Sequence, residues 1–248
     1  MTAAFAAIAF VPGLALGSFL NVVAARVPLR RSVVHPGSAC MVCETPLAWY
    51  DNVPIVSWAL LRGRCRHCGT SIPWKYPLVE LLTALLIAAC VLAFGLTGEA
   101  AVASLFCAAL VAVSVTDFER KVIPNRIVLP AAAIVLAAQT ALQPSPQWAL
   151  GALGAALFLL IAAFAYPAGM GMGDVKLALL LGAMLGWTVP VAMMIAMLSA
   201  LVPAVVLLVR HGSAARKMAI PFGPFLALGG LVALFAGEPL VDAYLGLF

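Results

Sequence analysis

The chain has 248 residues, 65% of them hydrophobic and 9% charged, and its mean hydropathy of +1.13 excludes a water-soluble core. Its formal charge of +5 comes from 14 Lys and Arg against nine Asp and Glu, and the basic residues are confined to four places between apolar runs or at their ends. That distribution carries no signal for nucleic acid, and an all-α polytopic membrane protein is the class that remains.

A helix that spans a bilayer needs roughly 20 apolar residues. About eight such stretches follow one another: 3–25, 77–96, 100–116, 127–142, 148–166, 175–188, 190–209 and 222–237. The first has no basic segment before it and is longer than the apolar part of a signal peptide, which predicts a retained helix rather than a cleaved one. Within it, Gly17-Ser18-Phe19-Leu20-Asn21 offers small and polar residues suited to close packing against another span. Seven basic residues lie in 26–77, three in 117–126, one is Lys176 and three lie in 210–217. With eight spans, these are the loops after the first, third, fifth and seventh helices. Basic loops stay in the cytoplasm, so both termini are expected outside.

Residues 27–76 form the one stretch between spans long enough to fold by itself, which predicts a division into 1–26, 27–76 and a membrane domain, 77–248. The stretch carries three of the five Trp and two C-x-x-C pairs, Cys40-Met41-Val42-Cys43 and Cys65-Arg66-His67-Cys68, separated by 21 residues. Each pair can present two thiolates to one side of an ion, and together they complete a tetrahedral zinc-ribbon-like site. A domain this small has little core, so zinc would supply folding free energy. Two disulfides are disfavoured on the reducing cytoplasmic side, and a redox motif would need only one pair. His67 is a bystander once four thiols are present. Cys90 and Cys107 fall in apolar spans and are expected to pack as small hydrophobes.

Two aspartates stand where long apolar runs meet short basic loops. Asp117 ends the third run, and Asp174 opens the sixth within Gly171-Met172-Gly173-Asp174-Val175-Lys176. Helices running in opposite directions would bring both carboxylates to one membrane face. Held within a few ångströms, such a pair shares a proton and titrates as a unit, one member acting as base and the other as acid. The plainer readings are that Asp174 caps its helix and Asp117 pairs with Arg120 or Lys121. Gly171 and Gly173, with Gly169 before them, favour a backbone that another strand approaches closely. Lys176 closes this support stretch. Glu80 lies one turn inside the second run, where an ionisable group is costly unless paired or functional, and is a third candidate. Glu119 is expected to be solvated among basic neighbours.

In this order, Gly17–Asn21, the two C-x-x-C pairs, Asp51-Asn52-Val53-Pro54-Ile55-Val56-Ser57-Trp58, Tyr76-Pro77-Leu78-Val79-Glu80, Asp117 with Ile123-Pro124-Asn125, the Gly171–Lys176 stretch and Ile220-Pro221-Phe222-Gly223-Pro224-Phe225 resemble the bacterial type IV prepilin peptidases. These are membrane aspartyl proteases of the G-x-G-D group. The resemblance implies a multi-pass protein of the bacterial inner membrane that removes the basic leader of type IV prepilins and pseudopilins at a Gly-Phe bond, with Asp117 and Asp174 as the catalytic pair. It also implies methylation of the new N-terminus with S-adenosylmethionine as donor. Met41 is a small departure, since proline is common there. The remaining reading is a transporter or a secretion-system scaffold with a zinc-stapled loop. The scarcity of polar groups within the spans counts against an ion path.

Overall fold

The computed structural model describes residues 2–165, 170–212 and 220–246; Gly169, Arg216 and Lys217 lie outside them. Among the described residues the chain forms helices and no sheet: α1 (Thr2–Arg26), α2 (Val56–Leu60), α3 (Lys75–Phe94), α4 (Gly98–Arg120), α5 (Asn125–Leu142), α6 (Gln147–Ala165), α7 (Met172–Leu185), α8 (Val189–His211) and α9 (Gly223–Leu245). Seven segments among the described residues are long and apolar enough to cross a membrane, as expected of a multi-pass protein. One of them, Met172–His211, has 40 residues, about twice what a single crossing needs. Gly186, at φ 54° and ψ −119°, opens a 3-10 turn that breaks it into α7 and α8. The expected count of about eight and the seven continuous segments differ here. At 14 residues, α7 reaches only about 21 Å, short of the ~30 Å hydrocarbon layer.

The chain divides into two compact units, Met1–Ala112 and Val113–Phe248, and the boundary falls inside α4. In the first unit, α1 and α3 pack backbone to backbone. A Cβ on Gly13 would stand 2.7 Å from the Ala84 Cα, and one on Gly17 would stand 2.6 Å from the Glu80 Cα. This is small-residue packing, which works in lipid because close approach gains dispersion contacts where no hydrophobic drive exists between helices. The Asn21 side chain donates to the Tyr76 carbonyl, 3.2 Å away, and ties the end of α1 to the start of α3. Cys90 and Cys107 are both buried, with their sulfurs 3.7 Å apart between α3 and α4.

In the second unit α6 and α7 meet through glycines. A Cβ on Gly151 would stand 2.8 Å from the Gly182 carbonyl oxygen, and one on Gly182 would collide with the carbonyl group of Gly151. Gly229 of α9 meets the Ala192 carbonyl of α8 in the same way. Gln139 of α5 reaches α7 by donating to the Met184 carbonyl at 3.4 Å. Gly182→Val should therefore force α6 and α7 apart at a cost of about 3 kcal/mol or more. Gly154→Ala, also on α6, puts its Cβ into open space and should raise or preserve stability. Thermal unfolding in detergent distinguishes the two; equal midpoints would remove the glycine contact as the organising feature of this pair.

Candidate active site and metal centre

Asp117 lies one turn inside the C-terminal end of α4. Lys121, at φ 54°, stops the helix in the left-handed region and returns its N–H to the Asp117 carbonyl at 2.8 Å. Pro124 then blocks any continuation and precedes α5. The carboxylate of Asp117 is buried, and its Oδ2 accepts the N–H of Gly223 at 2.9 Å. Gly223 is the first residue of α9, where a helix leaves N–H groups unpaired, and Pro224 beside it has none to give. A Cβ on Gly223 would lie 2.7 Å from that same oxygen, so the position requires glycine for room rather than for backbone freedom.

Asp174 stands in the first turn of α7, also buried. Its Oδ2 accepts the Gly171 N–H at 3.1 Å, and its own N–H returns to the Gly171 carbonyl at 3.1 Å, the reciprocal pattern of a capping box. The helix-capping reading of Asp174 thus describes one of its two oxygens. Gly173 is needed for contact: a Cβ there would stand 2.8 Å from the Ile123 Cβ, so the loop after α4 lies against the start of α7. That approach brings the two carboxylates within electrostatic reach of one another. Among the described residues, the Oδ1 atoms of both have no hydrogen-bond partner. Two helix N-termini therefore each hold one oxygen of a buried carboxylate and leave the other for a water or a substrate.

Lys176 does not join the pair. Its Nζ donates to the Asn125 Oδ1 at 2.9 Å and so links α7 to the first residue of α5. Gly223 and Asn125 carry no ionisable group, so their sequence contexts, Ile220–Phe225 and Ile123–Asn125, assign neither of them a role. A glycine before a proline at the start of an apolar run was the signal for a helix N-terminus with an open N–H.

In the first unit the four cysteines converge. All four sulfurs lie within 4.8 Å of one another, with Cys40–Cys68 at 3.8 Å and Cys43–Cys65 at 4.0 Å. A metal–sulfur bond of about 2.3 Å in a tetrahedron sets sulfur–sulfur edges of about 3.8 Å, so the set is close to the size that an ion such as zinc needs. The two knuckles are one structure used twice. Cys40 and Cys65 each donate their N–H to the carbonyl five residues on, Thr45 or Thr70, and each accepts the N–H four residues on, from Glu44 or Gly69, which have positive φ. Hydrogen bonds from the Thr45 side chain and backbone bring the Cys43 thiol down to about 6, and the Cys68 and His67 N–H groups lower Cys65. The Thr70 N–H pulls Cys68 the same way, but desolvation and the crowding of the other three sulfurs outweigh it and push Cys68 up to about 11. Four thiols in so small a volume cannot all ionise until a cation joins them.

Asp51 is bound by Arg66 of the second knuckle, whose Nη2 is 2.6 Å from Oδ1 and whose Nε is 3.1 Å from both oxygens. This bidentate pair holds the Asp51 carboxyl below the usual range. Glu80 is buried and accepts the Ile55 N–H at 2.8 Å. Cadmium added to the purified chain should produce a thiolate-to-metal absorption band that Cys65→Ser abolishes and Cys90→Ala retains. A band surviving Cys65→Ser would place the ion elsewhere.

Two family models match in tandem: the Bacterial Peptidase A24 N-terminal domain over residues 11–94 and the Type IV leader peptidase family over residues 104–209. Among curated proteins, the prepilin leader peptidase/N-methyltransferase of Bacillus subtilis is 36% identical over 246 residues, covering 96% of this chain and 97% of its own length. The proteins of the same name from Burkholderia pseudomallei and Aeromonas salmonicida are 35% and 34% identical, over 94% and 95% of this chain. No solved structure matches. Full-length similarity at this identity, together with the two family models in tandem, shows that the chain belongs to the type IV leader peptidase family.

Proposed function

We propose that the chain is a membrane aspartyl endopeptidase. It removes the basic leader from type IV prepilins and pseudopilins at a Gly-Phe bond on the cytoplasmic face of the bacterial inner membrane, and it methylates the new N-terminal amine from S-adenosylmethionine. The observation that carries the peptidase reading is the pair of buried carboxylates, Asp117 and Asp174, each fixed through Oδ2 by a helix N-terminus and open at Oδ1. In the reaction one carboxylate takes a proton from a water whose oxygen attacks the scissile carbonyl carbon, and the other gives a proton to the carbonyl oxygen. Collapse of that intermediate breaks the C–N bond: the departing amine takes the proton that the first carboxylate received from water, and a hydroxyl of the intermediate returns a proton to the second carboxylate. The chain forms no covalent bond to substrate.

Gly171 and Gly173 let a substrate strand and the Ile123 loop come close, and Lys176 steadies α7 through Asn125. The Cys40, Cys43, Cys65 and Cys68 site is a structural zinc centre: four protein ligands leave no open position for catalysis. The boundaries 1–26, 27–76 and 77–248, the basic loops on the cytoplasmic side and both termini outside complete the arrangement. The bilayer and the prepilin are its partners, and nucleic acid is not. Bulk charge is a poor guide for a basic leader at a face that is itself basic, and Asp51 is already held by Arg66. Local leader contacts would therefore fall to acidic groups with an oxygen to spare.

Asp117→Asn and Asp174→Asn should each lower cleavage of a prepilin by roughly 10³-fold, the scale of acid–base catalysis, with the proteins still folded in detergent. Gly223→Val should act on the same step by displacing the Asp117 carboxylate. Wild-type rates in either aspartate variant would refute the dyad, and a wild type with no cleavage would return the transporter and scaffold readings. Metal analysis should find zinc in the purified wild type and none after Cys43→Ser.

A further inference from the structure

The first unit holds a cavity of about 290 Å³ between the end of α1 and the loop that follows it, at the lower bound of small-molecule sites. Arg26 is the one charged residue in its lining. Its Nη1 donates to the Ser32 and Pro36 carbonyls and its Nη2 to the Gly37 carbonyl, at 2.7 to 3.2 Å. These acceptors are neutral, so the positive charge is fixed in place and not cancelled. The Nε–H and one N–H of Nη2 are left over for a further acceptor. Asp51, next to the lining residue Asn52, is already paired with Arg66.

The α1 side of the lining is apolar and continues a stripe. Ile8, Val11, Ala15, Phe19 and Val22 precede Arg26 at steps of three and four residues, which puts them on one face of the helix. Ile8, Val11, Ala15 and Phe19 are exposed. The buried face, with Gly13, Gly17, Leu20 and Ala24, is the opposite one, and its glycines meet α3. In a helix long enough to cross the bilayer, an exposed apolar stripe is what acyl chains cover. Arg26 ends both the helix and the stripe, where headgroups begin. The far wall, at Asn52 and Pro54, is set by the fold. Ile55 follows it at φ 60° and ψ −48°, the centre of a γ-turn closed by the Val56 N–H on the Pro54 carbonyl at 2.6 Å. A β-branched residue there is strained, and such strain persists where surrounding structure enforces it. The Glu80 carboxylate of α3 does so by accepting the Ile55 N–H at 2.8 Å. None of these groups belongs to the Asp117 and Asp174 site.

We propose that this cavity seats the headgroup of an anionic phospholipid, with its phosphodiester on the two free N–H groups of Arg26 and an acyl chain along Phe19, Ala15 and Val11. A guanidinium edge matches two oxygens of a phosphate, and basic recesses beside membrane spans are where anionic headgroups bind. A zwitterionic lipid brings an ammonium group that no lining residue answers, because no carboxylate faces the cavity. The occupant is therefore chosen by charge at one end and held by apolar contact at the other. Once seated, it braces the loop that leads from α1 into the first C-x-x-C knuckle. The inference does not depend on the peptidase chemistry.

The test is native mass spectrometry of the purified full-length chain, released from micelles that contain phosphatidylglycerol or phosphatidylcholine with the same acyl chains. The wild type should retain phosphatidylglycerol saturably and roughly ten-fold more tightly than phosphatidylcholine, and millimolar inorganic phosphate should not displace it. Arg26→Gln should bring the two lipids to equal affinity. Arg31→Gln removes the same charge from an exposed position outside the lining and should bind as the wild type does. Arg26 also ties the loop, so the cadmium–thiolate band checks that the knuckles of Arg26→Gln still form. Ala15→Trp leaves Arg26 and the loop untouched; its ring, on the exposed stripe, should obstruct the cavity and weaken phosphatidylglycerol roughly ten-fold. Equal losses in Arg26→Gln and Arg31→Gln reduce the effect to bulk charge and overturn the inference. Wild-type affinity in Ala15→Trp, displacement by inorganic phosphate, or a lipid-free dimer in place of the lipid-bound chain overturns it as well.

Discussion

A carboxylate inside an apolar helical assembly has to be met by hydrogen-bond donors, and the N-terminus of a helix is where the backbone has donors left over. The second unit is built around that constraint. The open N–H of Gly223 at the start of α9 goes to Asp117, and that of Gly171 at the start of α7 goes to Asp174. The partial positive charge of a helix N-terminus suits an anion, so neither aspartate needs a lysine or arginine as counter-ion. Among the described residues each carboxylate keeps Oδ1 without a hydrogen-bond partner, and the proposed acid–base pair relies on that.

The glycines make the arrangement possible by distance rather than by flexibility. At Gly223 and Gly173 a methyl group would strike Asp117 and Ile123 respectively, and at Gly182 it would strike the backbone of α6. In lipid the gain from bringing helices together is dispersion, which falls steeply with separation, so small residues decide which helices touch. The same rule joins α1 to α3 in the first unit through Gly13 and Gly17, and Ser18 beside Gly17 is thereby brought to Glu80.

Much of this was legible in the sequence because it depends on spacing and hydropathy. Two C-x-x-C pairs in a short polar loop specify a four-thiol cluster whatever the loop does between them, and an aspartate in an apolar run is visible against its background. Other features depend on contacts far apart along the chain. Gly223 lies 106 residues from Asp117, and only the fold shows that its N–H is spent there. The γ-turn at Ile55 carries no local signal, because no propensity places a β-branched residue at positive φ; Glu80, 25 residues on, stabilises it. Hydropathy also misplaced an end: the last stretch was expected to close at 237, yet α9 continues through Pro239 to Leu245, since a helix can outlast the apolar run that marks it. The break at Gly186 was legible in the sequence, where the sixth and seventh apolar stretches part at 188 and 190, close to the 3-10 turn that separates α7 from α8.

The repeated knuckle has a consequence for the segment it encloses. Cys43 and Cys65 stand at the two ends of a 21-residue stretch that contains Asn52, Pro54 and Ile55. A metal held by all four sulfurs binds the folded knuckles and not the unfolded chain, so its binding free energy opposes any opening of the stretch between them. An ion shared by the four sulfurs would therefore act on the enclosed stretch as a tether acts on a bent spring. The tension sits in the turn, and the clasp that keeps it from relaxing sits at its two ends.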